Sequence, residues 1–314
     1  MIKRSLSLSL LFIFLIANQL LAGAWTMKKG QMYNRLVFNY YETDQLYDED
    51  GDSHSMPLDG RFYDRNLNWY QEYGLNDRLT LITSFYYKWL SYHDVYVHNR
   101  SNGPGDFEIG LKYKIYEGAL VVSLQGLFKY GKLYGRENPE IGNRQNDYEI
   151  RLLLGKSLWP FPGYCGLEVG YRYRHGAPAD EVRYLAEFGM NFTRKLYGRV
   201  KLDGIWGMGN ADVEKGYRPQ EPVNPHFDIT PLLTAGVSPP RVNPSDERQN
   251  ALLSGIENLT NPRIAPEYNL LKLDITLGYQ ITERFGVEVE YTPSIYGEKT
   301  SKGATAAVAI TYVW

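Results

Sequence analysis

The last twelve residues, 303–314, constrain the fold more than any other stretch. Ala304, Ala306, Val308, Ile310, Tyr312 and Trp314 fall on one face of an extended chain, and Thr305, Ala307, Ala309, Thr311 and Val313 on the other. The apolar face grows aromatic towards its end, and the chain stops on a ring. A water-soluble sheet gains little by ending inside a strand on Trp. A bacterial outer-membrane barrel does gain, because its last strand pairs with its first and the terminal ring sits in the interfacial girdle. The expected fold class is all-β, a transmembrane antiparallel up-and-down β-barrel.

The other end of the chain agrees. Lys3 and Arg4 form a positive n-region, residues 6–16 are apolar apart from Ser7 and Ser9, and Ala22-Gly23-Ala24 supplies a small-residue cleavage pattern. Residues 1–24 are therefore expected to be a signal peptide, with Trp25 as the mature N-terminus and residues 25–314 as the barrel. The competing reading, an uncleaved anchor, suffers from an apolar run short of the roughly 20 residues that a spanning helix needs.

Composition closes other routes. Mean hydropathy is −0.41, and beyond residue 24 no apolar run of about 18 residues occurs, so no spanning helix is expected. Tyr occurs 27 times, which suits rings that place a face in hydrocarbon and a hydroxyl in water. A net charge of −2 and a pI near 6.3 give no nucleic-acid footprint. Cys165 is the single cysteine, so no intramolecular disulfide forms.

Short alternating segments then recur along one domain, at residues 31–41, 61–73, 79–89, 107–115, 120–130, 147–158, 167–174, 182–191, 196–206, 271–280 and 285–291, before the closing strand. The clearest alternates Phe107, Ile109, Leu111, Tyr113 and Ile115 with Glu108, Gly110, Lys112 and Lys114. A helix would smear those apolar residues around its circumference. The count is about twelve, with ten or fourteen left open, and an even number puts both ends on the periplasmic side. Because one face of each segment is apolar and the other charged, the apolar face belongs outside and the lumen is wet.

Residues 104–113, Pro-Gly-Asp-Phe-Glu-Ile-Gly-Leu-Lys-Tyr, resemble the "G-D-hydrophobic-polar-hydrophobic-G" strand of an outer-membrane family linked to phenol-degradation, or meta-cleavage, pathways. The turn at Gly74-Leu75-Asn76-Asp77 is similar to that family's preceding turn. The resemblance covers less than half of the chain and implies a pore or transporter for small, aromatic molecules. The chain has Gly131-Lys132-Leu133 where that family tends to carry Pro-Thr-Gly, and it adds a long loop.

The expected lumen lining of the fourth to ninth strands includes Lys112, Lys114, Lys129, Arg151, Arg172, Arg174, Arg183, Arg199 and Lys201. Against these nine cations stand Glu108, Asp147, Glu149, Glu168, Glu187 and Asp203. A wall of +3 would lower the barrier for anions, with Arg172, Arg174 and Arg183 clustered near the outer mouth. The same charges could instead pair across the lumen and plug it. The functional expectation is a porin-like channel for small solutes. A structural or adhesin-like plugged barrel has the same strand features.

Periodicity lapses over residues 208–267, a Pro-rich stretch with a candidate helix start at Ser245-Asp246-Glu247. It is expected to be one long extracellular loop that either folds into the pore, covers the mouth or stays on the surface. The acidic run Asp44, Asp48, Glu49, Asp50 and Asp52 lacks the Gly and terminal Glu of an EF-hand, so no metal is assigned, and no cofactor. Expected partners are outer-membrane lipid and lipopolysaccharide, the barrel-assembly machinery through the strand ending at Trp314, and a small solute. A lipid hydrolase would need a Ser–His pair. His98 and Ser101 are three apart and so emerge on opposite faces of an extended chain, which is the wrong geometry for a general base.

Overall fold

In hydrocarbon every backbone N–H and C=O must be satisfied by another strand, which leaves a closed barrel as the sheet solution. The computed structural model describes residues 23–211 and 267–314, apart from Tyr96, Arg136 and Ala177. Its strands are β1 (Met32–Tyr47), β2 (Ser53–Ser55), β3 (Arg61–Asn76), β4 (Leu79–His93), β5 (His98–Glu117), β6 (Val121–Tyr130), β7 (Asp147–Ser157), β8 (Gly163–Arg174), β9 (Glu181–Asn191), β10 (Leu196–Gly207), β11 (Asn269–Gln280), β12 (Phe285–Glu298) and β13 (Thr300–Val313). Each pairs antiparallel with its sequence neighbour, save that β2 is a short flap on the end of β1 and β3 pairs directly with β1.

Closure comes from β13, which pairs with β1 from Tyr33↔Val313 to Tyr47↔Thr300. Met32 and Trp314 seal the seam by exchanging two backbone hydrogen bonds of 2.8 and 2.9 Å. The barrel therefore has twelve strands plus β2. The tight turns at 76–79, 117–121, 157–163, 191–196 and 280–285 lie at one end, together with Met32 and Trp314, and that end is periplasmic.

With closure in place, strand parity assigns each side chain to lipid or lumen. Outward positions are aliphatic: Val169, Ile150 and Leu167 are 57%, 56% and 55% exposed, an arrangement that water would not tolerate around a whole sheet. Aromatic rings edge this belt at both ends. Tyr113, Trp159, Phe161, Phe192, Tyr279 and Trp314 mark the periplasmic rim, and Trp89, Tyr130, Tyr148, Tyr173 and Trp206 the outer rim.

Several strands run further than sequence periodicity indicates. Residues 98–106, with their Asn, Ser, Gly and Pro, look like loop but form the upper half of β5. Pro104 is tolerated because the β4–β5 register shifts beside it, between Phe85 and Tyr87, and a bulge has no ladder bond for Pro to break. Likewise β1 continues to Tyr47, taking in Asp44, and the three residues after the acidic run, Ser53–Ser55, form β2. Asp48 caps that turn, accepting from the Asp50 and Asp52 amides at 3.0 and 2.9 Å and contacting His54 Nε2 at 2.7 Å. Residues 1–22, most of the expected signal peptide, lie outside the described residues. So do residues 212–266, nearly all of the expected long loop and its candidate helix.

Leu152 lies midway along β7 on the lipid face. Leu152→Arg places a charge near the bilayer midplane and is expected to lower stability by about 2–4 kcal/mol in a denaturant titration of vesicle-embedded protein.

Candidate functional site

The inward half of each strand is polar, and these polar groups, more than apolar ones, are what the barrel buries. Lys112, Asp147, Glu181, Glu288 and Glu149 are each no more than 5% exposed. Burial of so many charges is sustainable because they meet one another across strands.

One network occupies the β5–β10 side. Arg172 donates to Glu149 at 2.7 Å and approaches Glu181 and Glu108 at 3.7 and 3.8 Å. Arg151 bridges Glu149 and Glu168 at 2.5 and 2.6 Å. Arg174 holds Glu181 at 2.5 Å, and Lys129 holds Asp147 and Asp106 at 2.6 and 3.2 Å. Arg183 is looser, with Asp203 at 3.8 Å and Glu149 and Glu181 at 4.0 Å.

A second network fills the β10–β1 side. Arg35 pairs with Glu288 at 2.8 Å and also with Glu290. Arg199 reaches Glu290, Glu288 and Glu187 at 3.5, 3.8 and 3.9 Å, and Lys201 sits 4.0 Å from both Glu187 and Asp274. Across β13 the wall narrows to Thr305, Ala307, Ala309 and Thr311, leaving room for the Arg35 side chain to reach β12.

All eleven residues singled out in the sequence, Glu187 and Asp203 included, therefore point inward, but they do not form an unpaired basic lining. Lys114, near the periplasmic rim, pairs with exposed Glu117 at 2.6 Å. The excess of +3 disappears as well. Asp106 and Glu181 join the same strands' inward face, just beyond where periodicity placed the strand ends. On the remaining wall Asp64, Glu72, Asp274, Glu288 and Glu290 face Arg35, Lys88 and Lys272. Among the described residues the lumen is close to neutral.

Tyrosine is also redistributed. Sequence enrichment suggests interfacial rings, yet Tyr70, Tyr164 and Tyr197 are lumenal and donate their hydroxyls to Glu72, Glu187 and Glu288 at 2.6, 2.5 and 2.9 Å. Their parity with Glu72, Glu168 and Arg199 respectively, on the same strands, is the signal that could have placed them. His98 and Ser101 do fall on opposite faces. Ser101 Oγ donates inward to the Pro139 carbonyl at 2.6 Å, while His98 lies outside near Ser91 and Arg100.

One element has no counterpart in the periodicity. Residues 23–29 fold back as a strap beneath the lumen, at the periplasmic end. Lys29 and Thr26 bind Asp77 in the β3–β4 turn at 2.9 Å each, and the Met27 amide donates to Thr80 at 2.9 Å. Further in, Lys112 Nζ donates to the Gly23 carbonyl at 3.0 Å while it pairs with Glu72, and Ser123 donates to the Ala24 carbonyl. Ala24 and Trp25 pack on Val121 and Leu153, and the Trp25 ring meets Tyr164 edge-on at 5.7 Å. Gly155 makes space for that ring: a Cβ there would stand 2.8 Å from it. The strap thus crosses from β3 to β8, half of the barrel's circumference. Processing after Ala24 would leave residues 25–29 as the strap and remove the two carbonyl acceptors from Lys112 and Ser123.

Against this geometry, an outer-membrane channel from Pseudomonas putida F1 superposes with a TM-score of 0.60 over 93% of this chain and 98% of that one, at 12% identity. The NanC porin matches with a TM-score of 0.47 over 89% and 98%, at 8% identity. No family model and no curated protein sequence matches the chain. The fold is that of an outer-membrane β-barrel. At such identities the likeness is one of architecture, and the lumen has to be judged by its own residues.

Two outcomes follow from these contacts. The Glu149 side chain is 1% exposed and serves three arginines, so Glu149→Gln leaves buried cations short of a partner and is expected to cost roughly 3–5 kcal/mol. Glu117→Gln, at a rim pair 61% exposed, is expected to change stability by less than about 1 kcal/mol in the same denaturant titration. The second concerns the outer β8–β9 connection. Burial works to raise the Asp180 pKa, but hydrogen bonds from the Tyr171 hydroxyl, the Arg174 amide and Asn210 outweigh it and hold the carboxyl below its ordinary value. A depressed folded pKa stabilises fully above the unfolded value of about 3.9 and loses that contribution as pH falls through the folded one. Pepsin is therefore expected to nick the 175–180 connection only below that range, and Asp180→Asn to remove the pH dependence.

Proposed function

We propose that the barrel is a narrow outer-membrane channel for small solutes of polar and aromatic character, with the strap as its periplasmic constriction. The observation that carries this reading is the inverted polarity of a closed barrel whose inward wall is ionisable from rim to rim. A lipid-embedded anchor needs only its exterior. Buried ion pairs are no better for stability than apolar packing of the same volume, so a purely structural lumen has no call for two charge networks. A lumen that exchanges internal pairs for contacts with a passing solute does.

The class of solute follows from the lining. Paired guanidinium and carboxylate groups bind polar substituents of either sign, and the inward rings of Tyr70 and Tyr197 stack on planar solutes. The similarity of residues 104–113 to the phenol-pathway family supports the aromatic part. Near-neutrality of the described wall supports weak charge selectivity in place of an anion preference. The competing reading, a plugged structural barrel, is favoured by how deeply the charges are buried.

Planar-bilayer recordings of the refolded chain separate the two. The expected result is small conductance steps with a reversal potential near zero in asymmetric salt, and larger steps in Gly155→Leu, whose side chain displaces Trp25. Liposome flux of benzoate is expected to exceed that of an aliphatic acid of similar size. Absence of conductance in both forms would transfer the weight to the structural barrel.

A further inference from the structure

The outer face of β3, β4 and β5 carries, above the aromatic rim, a cluster of cations that the lumen does not use. Register places Arg61, His93 and His98 in one row across the three strands, Tyr63, Ser91 and Arg100 in the next, and Arg65, Trp89 and Asn102 in the third. Trp89 is the belt's upper aromatic. At about 2.5 Å of height per residue for strands tilted by roughly 40°, the rows of Arg100 and Arg61 stand about 5 and 10 Å above it, at headgroup depth.

The contrast with the interior gives this patch its meaning. Lumenal arginines all have carboxylate partners, whereas Arg61, Arg65 and Arg100 form no ion pair among the described residues. All three are exposed. Arg65 rests over the Tyr40 ring at 5.6 Å, and Arg100 Nε donates to His98 Nε2 at 3.0 Å, which orients the guanidinium. The Tyr63 and His93 rings stack at 5.7 Å and stiffen the platform between them. Two acids of β1, Asp44 and Glu42, lie on the same outward face and act on Arg61, and Glu42 also accepts from the Tyr40 hydroxyl at 3.1 Å; the three arginines outnumber them. Across the barrel, the rim of β12 carries Glu298.

We propose that this patch binds the phosphate groups of a phosphorylated glycolipid in the outer leaflet. Its aromatic and aliphatic lower rows would lie against the acyl chains and its arginines against the phosphates. Charge complementarity selects the occupant. Exposed guanidinium groups at headgroup depth face a layer whose anions are phosphates, and the planar fork matches a phosphate's oxygens with paired hydrogen bonds. Ser91 and Asn102, between the arginines, add neutral donors for the sugar.

The test uses the full chain refolded in uncharged detergent, titrated with bis-phosphorylated lipid A while the denaturation midpoint is followed. Binding to the folded state raises the midpoint saturably. The expected result is a saturable rise that weakens with salt and is absent with dephosphorylated lipid A or with inorganic phosphate alone. In Arg61→Gln/Arg65→Gln/Arg100→Gln the apparent affinity is expected to fall on the order of a hundredfold, the product of a roughly fivefold contribution per arginine. Heat-modifiable gel mobility confirms that the variant is folded, and Arg100→Lys alone is expected to retain most of the response. An equal rise with dephosphorylated lipid A, or an unchanged response in the folded triple variant, would overturn the assignment.

Discussion

The pairing of β13 with β1 is the constraint from which the rest of the structure follows. Hydrocarbon offers the backbone no hydrogen bonds, so an unclosed sheet would leave a row of amides and carbonyls unsatisfied along each edge. Once Met32 and Trp314 are joined and the register runs up to Tyr47 and Thr300, no edge is left within the belt. Closure also makes side-chain direction binary. A slip of one residue would send Ile150 and Leu152 into the lumen and Glu149 and Arg151 into lipid, so the alternation that closes the barrel also fixes its register.

An interior forced to be polar has a further consequence. With twelve strands the lumen is narrow enough for long side chains on non-adjacent strands to meet, as Lys112 of β5 meets Glu72 of β3 and Arg35 of β1 meets Glu288 of β12. The charges then form two networks that satisfy one another, and tyrosine hydroxyls take remaining carboxylate oxygens. The strap completes this arrangement from below, giving Lys112 and Ser123 backbone acceptors and covering Val121 and Leu153 with Ala24 and Trp25. Outside, the arginines of the β3–β5 rim form no ion pair among the described residues and stay exposed. One residue type thus has two fates, decided by which side of the wall it stands on.

The twelve strands, their order, and the inward or outward sense of nearly every residue were legible in the chain itself, because a period of two survives any tertiary arrangement. What periodicity could not show is contact. The expected anion preference counted cations from six strands and lost Asp106 and Glu181 at their ends, where Gly, Pro and Asp blur the alternation. Residues 98–103 looked like loop because Asn, Gly and Pro are poor strand formers, and only the bulge beside Pro104 reveals why they are tolerated. The strap was invisible, since residues 23–29 have no periodicity of their own and are held by hydrogen-bond partners 48 to 99 residues away.

Sequence alone therefore determined that this chain closes into a barrel with lipid outside and charge inside, since alternation of apolar and polar side chains is a local property of an extended backbone. The tertiary structure decided how those charges are used. Pairing, neutrality and the covered periplasmic end depend on distances between strands that the chain brings together only when it closes.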